Sequence, residues 1–125
     1  MFSWIGRFNK VRIKKLIVIG IGYRSHHLSK ALSETGGYQV VAYIDEEPWN
    51  HLHQMHGANI HYPSELLALA AKHRVDGVVG FGKEGWQPDK QCLIALTKLK
   101  TDYICLAVDT KTNEQLNVIH QRLLL

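Results

Sequence analysis

The chain has 125 residues, 46% hydrophobic and 21% charged, which suits one domain with a buried core and is too short for two. Its net charge of +4 is local: Arg7, Lys10, Arg12, Lys14 and Lys15 meet no acid in the first 15 residues, and beyond them 10 Lys/Arg stand against 11 Asp/Glu. A nucleic-acid reader needs a basic face across its folded body; none is built here, so no nucleic-acid partner is expected.

Residues 1–13 form a basic arm in which Phe2, Trp4, Ile5 and Phe8 accompany the cations. The expectation is an exposed tail whose aromatics pack on the domain, with weak membrane-surface contact through residues 1–15 as the alternative. No apolar run approaches about 20 residues, and the start lacks the apolar region and small-residue cleavage site of a signal peptide.

The apolar, largely β-branched run at 15–19 predicts a strand buried on both faces. A helix follows over 24–35, closed by Gly36-Gly37, because glycine takes the left-handed cap conformation freely. A second strand, 39–44, ends at Asp45-Glu46-Glu47-Pro48. A loop with room for a helical turn leads to a short third strand at 59–62. Pro63-Ser64-Glu65 opens the second helix, and Lys72, His73 and Arg74 complement the negative end of its dipole. Residues 77–81 form the fourth strand. Pro88-Asp89 starts a third helix with Cys92, Ala95, Leu96 and Leu99 as its buried stripe, and 103–108 form the fifth strand. Thr112-Asn113-Glu114-Gln115 matches a capping box before a last helix that turns Leu116, Ile119 and Leu123 inward. Cys92 and Cys105 read as buried free thiols, which suits a reducing cytosol and a cytoplasmic location.

Strands alternating with helices predict an α/β domain over residues 14–125, a doubly wound parallel sheet of five strands in the order 3-2-1-4-5. Ligands in such sheets sit beyond the carboxyl ends of the strands where the order reverses, between strands 1 and 4. Residues 20–25, 45–47 and 80–85 arrive there. Gly20 allows a tight turn, and Gly22 would let a diphosphate approach the first amides of the helix, beside Tyr23 and Arg24. Ser25 stands where a third glycine usually permits close helix–strand contact. Arg24 could clamp an anion. Asp45, with Glu46 next to it, could accept ribose hydroxyls and would repel a 2′-phosphate, so NAD is expected before NADP. Gly80, Phe81, Gly82 and Lys83 form a loop that could pass beneath the ligand, with Lys83 reaching a phosphate. The alternatives are a nucleotide-free turn and a loop whose Trp86 packs on the sheet.

His26 and His27 read as helix-surface residues. His51, His53 and His56 make HxHxxH, with His61 nearby, but no cysteine completes a structural site. They read as incidental surface histidines, and no metal is expected. No tyrosine is followed four residues later by lysine, no GxSxG elbow occurs, and no cysteine stands near a glycine-rich helix start. Catalytic residues are therefore not legible, and whether the chain is an enzyme stays open.

Three stretches, KKLIVIGIGYRSHHLSKAL, YQVVAYIDEEP and GANIHYPSELLALAAKHRVDGVVGF, together resemble the nucleotide-binding domain of nucleoside-diphosphate-sugar epimerases and dehydratases. The likeness is to the domain preceding the catalytic unit in membrane-associated polysaccharide-biosynthesis dehydratases. CoA-binding domains and the UDP-sugar-binding domain of some sugar acetyltransferases are similar. Gly20, Gly22, Asp45, Gly57, Pro63, Val75 and Asp76 match the family pattern, over residues 14–108. Ser25, Glu46-Glu47 and the GFGKEG loop depart from it, and the catalytic unit is missing. The resemblance implies a Rossmann-like domain holding NAD(P) in a polysaccharide-building pathway, at the inner membrane face if the arm engages lipid. A UDP-sugar or CoA is the alternative ligand, and a non-binding module docked on a partner enzyme is the other reading. Homo-oligomerisation is left open.

Overall fold

A computed structural model describes residues 12–124. The basic aromatic arm assigned to 1–13 lies outside the described residues, apart from Arg12 and Ile13. In chain order the elements are β1 (Lys14–Ile19), α1 (Tyr23–Thr35), β2 (Tyr38–Ile44), β3 (Gln54–Met55), β4 (Ala58–His61), α2 (Leu66–His73), β5 (Gly77–Phe81), α3 (Lys90–Lys98), β6 (Asp102–Leu106) and α4 (Thr112–Leu123). Short 3₁₀ turns at Pro48–Asn50 and Pro63–Glu65 precede β3 and α2.

Successive side chains of a strand point to opposite faces, so the apolar run of β1 serves two cores. Leu16 and Val18 face Leu28 and Leu32 of α1 and Ile119 and Leu123 of α4. Ile17 and Ile19 face Leu66, Leu69 and Ala70 of α2 and Leu96 of α3. All four β1 side chains are buried, as expected of a central parallel strand.

The sheet has six strands in the order β3-β4-β2-β1-β5-β6. This corrects the expected five: the predicted parallel strands keep their order as β4, β2, β1, β5 and β6, and β3 is added at the edge, antiparallel to β4. β3 has only two residues, too few for alternation to register in sequence. Between β3 and β4, His56 (φ 50°) and Gly57 (φ 81°) form a two-residue hairpin loop with both angles positive, the arrangement whose twist matches paired strands.

Local signals place most helix ends. Gly36 (φ 78°) returns its amide to Leu32 O at 3.1 Å and closes α1. Asp89 caps α3 by accepting from the Cys92 amide at 2.8 Å. Three expectations fail. The capping box at 112–115 does not form: α4 is capped from Lys111 without a side-chain bond, and Gln115 is buried instead. Leu99 lies past the end of α3 and is exposed. Cys105 is exposed and Cys92 half-buried; β6 is an edge strand whose Ile104 and Leu106 take the covered side, leaving Cys105 on the other. Among the described residues no helix is long and apolar enough to cross a membrane.

Candidate functional site

The carboxyl ends of β1 and β2 are tied together before they diverge. The Gly20 amide donates to Ile44 O at 2.8 Å, and the Asp45 amide donates to His61 O at 3.0 Å. Gly20 then turns the chain with φ 100°, a conformation that L side chains resist. Ser25, only 2% exposed, sits beneath this turn, and its Oγ lies 3.4 Å from where a Gly20 Cβ would be. A small side chain thus fills the position where a third glycine was anticipated. Gly22 is the N-cap of α1, with φ −83°, no side-chain cap and open space around a notional Cβ. The first-turn amides of a helix lack intrahelical partners, and here no capping side chain takes them.

A cavity of about 400 Å³ opens over these residues, at the reversal of strand order between β1 and β5. Gly20, Gly22, Tyr23, Arg24 and Ser25 form one wall, and Asp45, Phe81, Glu84 and Gly85 the others. The structure does not bring Glu46, Gly80, Gly82 or Lys83 to the lining. Glu46 is exposed beyond the end of β2. Gly80 is buried in β5, where a Cβ would stand 2.8 Å from Tyr103 Oη, so its small size serves packing. Gly82 (φ 54°) starts a turn closed by the Glu84 amide on Phe81 O at 3.0 Å, which leaves Lys83 exposed and carries Glu84 to the cavity. Trp86 packs, half-buried, against the α2–α3 core.

The charged groups of the lining are arranged unequally. Asp45 Oδ2 accepts from Asn50 Nδ2 at 2.9 Å and from the Glu47 amide at 3.2 Å, which fixes the carboxylate and leaves Oδ1 for another donor. Arg24 Nε stands 3.4 Å from Glu84 Oε1, spanning the α1 start and the β5–α3 loop. That Nε is buried and makes no hydrogen bond among the described residues. Unblocked first-turn amides and a glycine with open space above it fit an anionic group such as a diphosphate, with the Arg24 side chain, ion-paired to Glu84, at the wall beside them. The titratable lining groups are Tyr23, Arg24, Asp45 and Glu84, a set suited to holding a ligand.

The histidines divide. His53 is exposed, and exposed His26 Nδ1 lies 3.0 Å from exposed His56 Nε2. The surface reading fails for His51 and His61, which are half-buried against Glu65: His51 Nε2 is 2.7 Å from Glu65 Oε1, and His61 Nδ1 is 3.0 Å from Oε2. Burial alone would raise the Glu65 carboxyl, but the Tyr62 amide, both imidazoles and the charge on His61 outweigh it and hold it at about 2. The i, i+4 spacing of His61 and Glu65 was the one sequence sign of this cluster; His51 joins through the fold.

No protein-family model matches the chain, and no curated protein matches it in sequence. Solved structures do. UDP-D-quinovosamine 4-dehydrogenase from Vibrio fischeri is 24% identical with a TM-score of 0.62, over 84% of this chain and 84% of that one. RSP, a Rex-family repressor, is 12% identical with a TM-score of 0.62, over 98% of this chain and 63% of that one. The same repressor solved in complex with β-NADH gives 0.60 at 12% identity. Its complex with β-NAD⁺ and operator DNA gives 0.60 at 10%. Together with the strand order and the glycine turn, these likenesses establish a Rossmann-like fold.

Proposed function

We propose that the chain is a nucleotide-binding domain that takes a dinucleotide, NAD before NADP, at the mouth between β1, β2 and β5. The observation that carries this reading is the cavity in which the uncapped α1 start, the Arg24 side chain and the fixed Asp45 carboxylate converge. The diphosphate would lie on the amides after Gly22, with Ser25 beneath the turn and Arg24 beside it. Asp45 Oδ1 would accept a ribose hydroxyl, and its charge would repel a 2′-phosphate. The NADH-bound repressor and the sugar-nucleotide dehydrogenase among the structural relatives support this ligand class.

The likeness to epimerase and dehydratase domains points to a nucleotide-binding domain serving sugar-nucleotide chemistry in polysaccharide biosynthesis. Operator DNA is not part of the proposal: the repressor likeness is at 10% identity, and the cations concentrate near the N-terminus.

Thermal-shift titration against NAD⁺, NADH, NADP⁺, CoA and UDP-sugars tests the reading. A ligand at 100 times its dissociation constant stabilises the fold by about 2.7 kcal/mol. NAD⁺ or NADH is expected to raise Tm at lower concentration than NADP⁺. A shift with UDP-sugar or CoA alone would replace the cofactor, and no shift with any of them would leave an interaction module. Vesicle co-sedimentation with and without residues 1–15 tests the arm; equal recovery would end the membrane-surface reading.

A further inference from the structure

We propose that His51, His61 and Glu65 form a site for a divalent transition-metal ion of the zinc class. His51, His61 and Glu65 each offer one ligand atom, a ring nitrogen or a carboxylate oxygen, within 4.8 Å of the other two. A tetrahedral zinc with ligands at about 2.0–2.2 Å holds them roughly 3.4 Å apart; the imidazoles now meet separate Glu65 oxygens, Oε1 at 2.7 Å and Oε2 at 3.0 Å, so both pairs open as one oxygen and the two nitrogens close on the ion. The donors select the metal. Two imidazoles and one carboxylate suit zinc, cobalt or nickel, whereas calcium and magnesium favour all-oxygen shells.

Each ligand is held by something other than the metal. His51 stacks on Tyr62 with ring centroids 4.0 Å apart and 8° between planes. His61 ends β4, and its carbonyl receives the Asp45 amide. Glu65 Oε1 accepts from the Tyr62 amide at 2.9 Å. The side chains are 25%, 16% and 36% exposed, so the group is partly enclosed yet open on one side. Three protein ligands leave a fourth position for water or a small donor, as in zinc sites that do not serve structure alone. A bound ion would also join the loop after β2 to the turn before α2, two segments already tied by the imidazole–carboxylate pairs. The site is independent of the nucleotide proposal, because none of its three ligands lines the cavity.

The experiment uses the full chain stripped with EDTA and then dialysed free of chelator. Titration with ZnCl₂ by calorimetry, and with CoCl₂ by visible absorption, is expected to give one ion per chain with a dissociation constant at or below about 10 μM. Zinc should raise Tm. His51→Ala and Glu65→Gln should each weaken binding by about 100-fold or more, since even changes to groups behind the ligands cost 10–100-fold. Glu65→Gln keeps an oxygen for the Tyr62 amide, so lost metal binding with an unchanged far-UV spectrum isolates coordination from folding. The rival cation pair is exposed His26 with His56, and His56→Ala and His53→Ala should leave the affinity unchanged. Failure to bind zinc would overturn the proposal. So would binding that survives both His51→Ala and Glu65→Gln, or that disappears with His56→Ala.

Discussion

Replacing Gly22 with aspartate separates the two uses of the turn between β1 and α1. With φ −83° and ψ −165° the backbone there is ordinary extended chain, and an added Cβ meets nothing within 4 Å. Aspartate is among the best N-cap residues, so Gly22→Asp should leave the unliganded fold unchanged or a few tenths of a kcal/mol more stable. The same carboxylate would face a diphosphate at the cavity mouth. Two unit charges about 5 Å apart, at an effective dielectric near 20, repel by about 3 kcal/mol, more than a hundredfold in affinity. Thermal shift reads both effects. NAD⁺ at 100 times its dissociation constant should raise the Tm of the natural chain by roughly 10 °C, taking about 2.7 kcal/mol and about 4 °C per kcal/mol. Gly22→Asp should keep its unliganded Tm within about 2 °C and lose that response. Gly20→Ala should do the opposite to the fold, since at φ 100° a side chain costs about 1–2 kcal/mol. A full NAD⁺ response in Gly22→Asp would refute the placement of the diphosphate. A large fall in its unliganded Tm would refute the account of the turn.

The remaining expectations concern the fold. Ser29 and Tyr43 share a buried hydrogen bond of 2.7 Å, so Tyr43→Phe or Ser29→Ala alone should cost about 1–3 kcal/mol in urea denaturation. The double variant should cost clearly less than the sum; additive losses would show that the bond is not formed. Gly80→Ala sets a methyl 2.8 Å from Tyr103 Oη and should cost about 1–3 kcal/mol, largely relieved in Gly80→Ala/Tyr103→Phe. Equal stability of the single and double variants would place the strain elsewhere. Burial, with Cys105 beside it, pushes the Tyr103 phenol from 10.0 up to about 12. Folding therefore favours the neutral phenol: its contribution is complete below pH 10 and is lost as pH rises towards 12. Denaturation midpoints should fall more steeply over that interval in the natural chain than in Tyr103→Phe, and parallel curves would contradict the assignment.

What the sequence made legible was local. The β-branched run of β1, the glycines after α1 and the aspartate before α3 each state their structure within a few residues, and right-handed crossovers order the parallel strands. What it hid depended on backbone angles or on distant partners. Whether Lys83 or Glu84 faces the cavity is set by the positive φ of Gly82, which composition does not announce. β3 exists because a two-residue loop folds Gln54 and Met55 back on β4, too short a pairing for any periodicity. His51 belongs to Glu65 only after β4 and the turn beyond it have formed. Within the site, Gly20 and Gly22 were readable because a recurrent turn needs them in order, and Asp45 because it directly follows the next strand. Glu84 was not, because its place is a property of the loop.

A strand that is apolar on both faces has an identity problem that a half-exposed strand does not. Sliding β1 by one residue would exchange the sets Leu16/Val18 and Ile17/Ile19 between cores, and three of the four side chains would still take buried positions. Apolar patterning therefore specifies that β1 is central without specifying its alignment. The alignment information lies at the polar end: Asp76, just before β5, takes the Lys15 amide at 2.8 Å with one carboxylate oxygen and Arg12 at 3.0 Å with the other. On the opposite flank the irregularity between Leu16 and Ile17 skips Val41, and the Lys14 amide is anchored on Gly37 O at 2.9 Å. One half-buried carboxylate and one extra residue in β2 thus determine which atoms of β1 meet which neighbours, and through them the height at which Gly20 leaves the sheet.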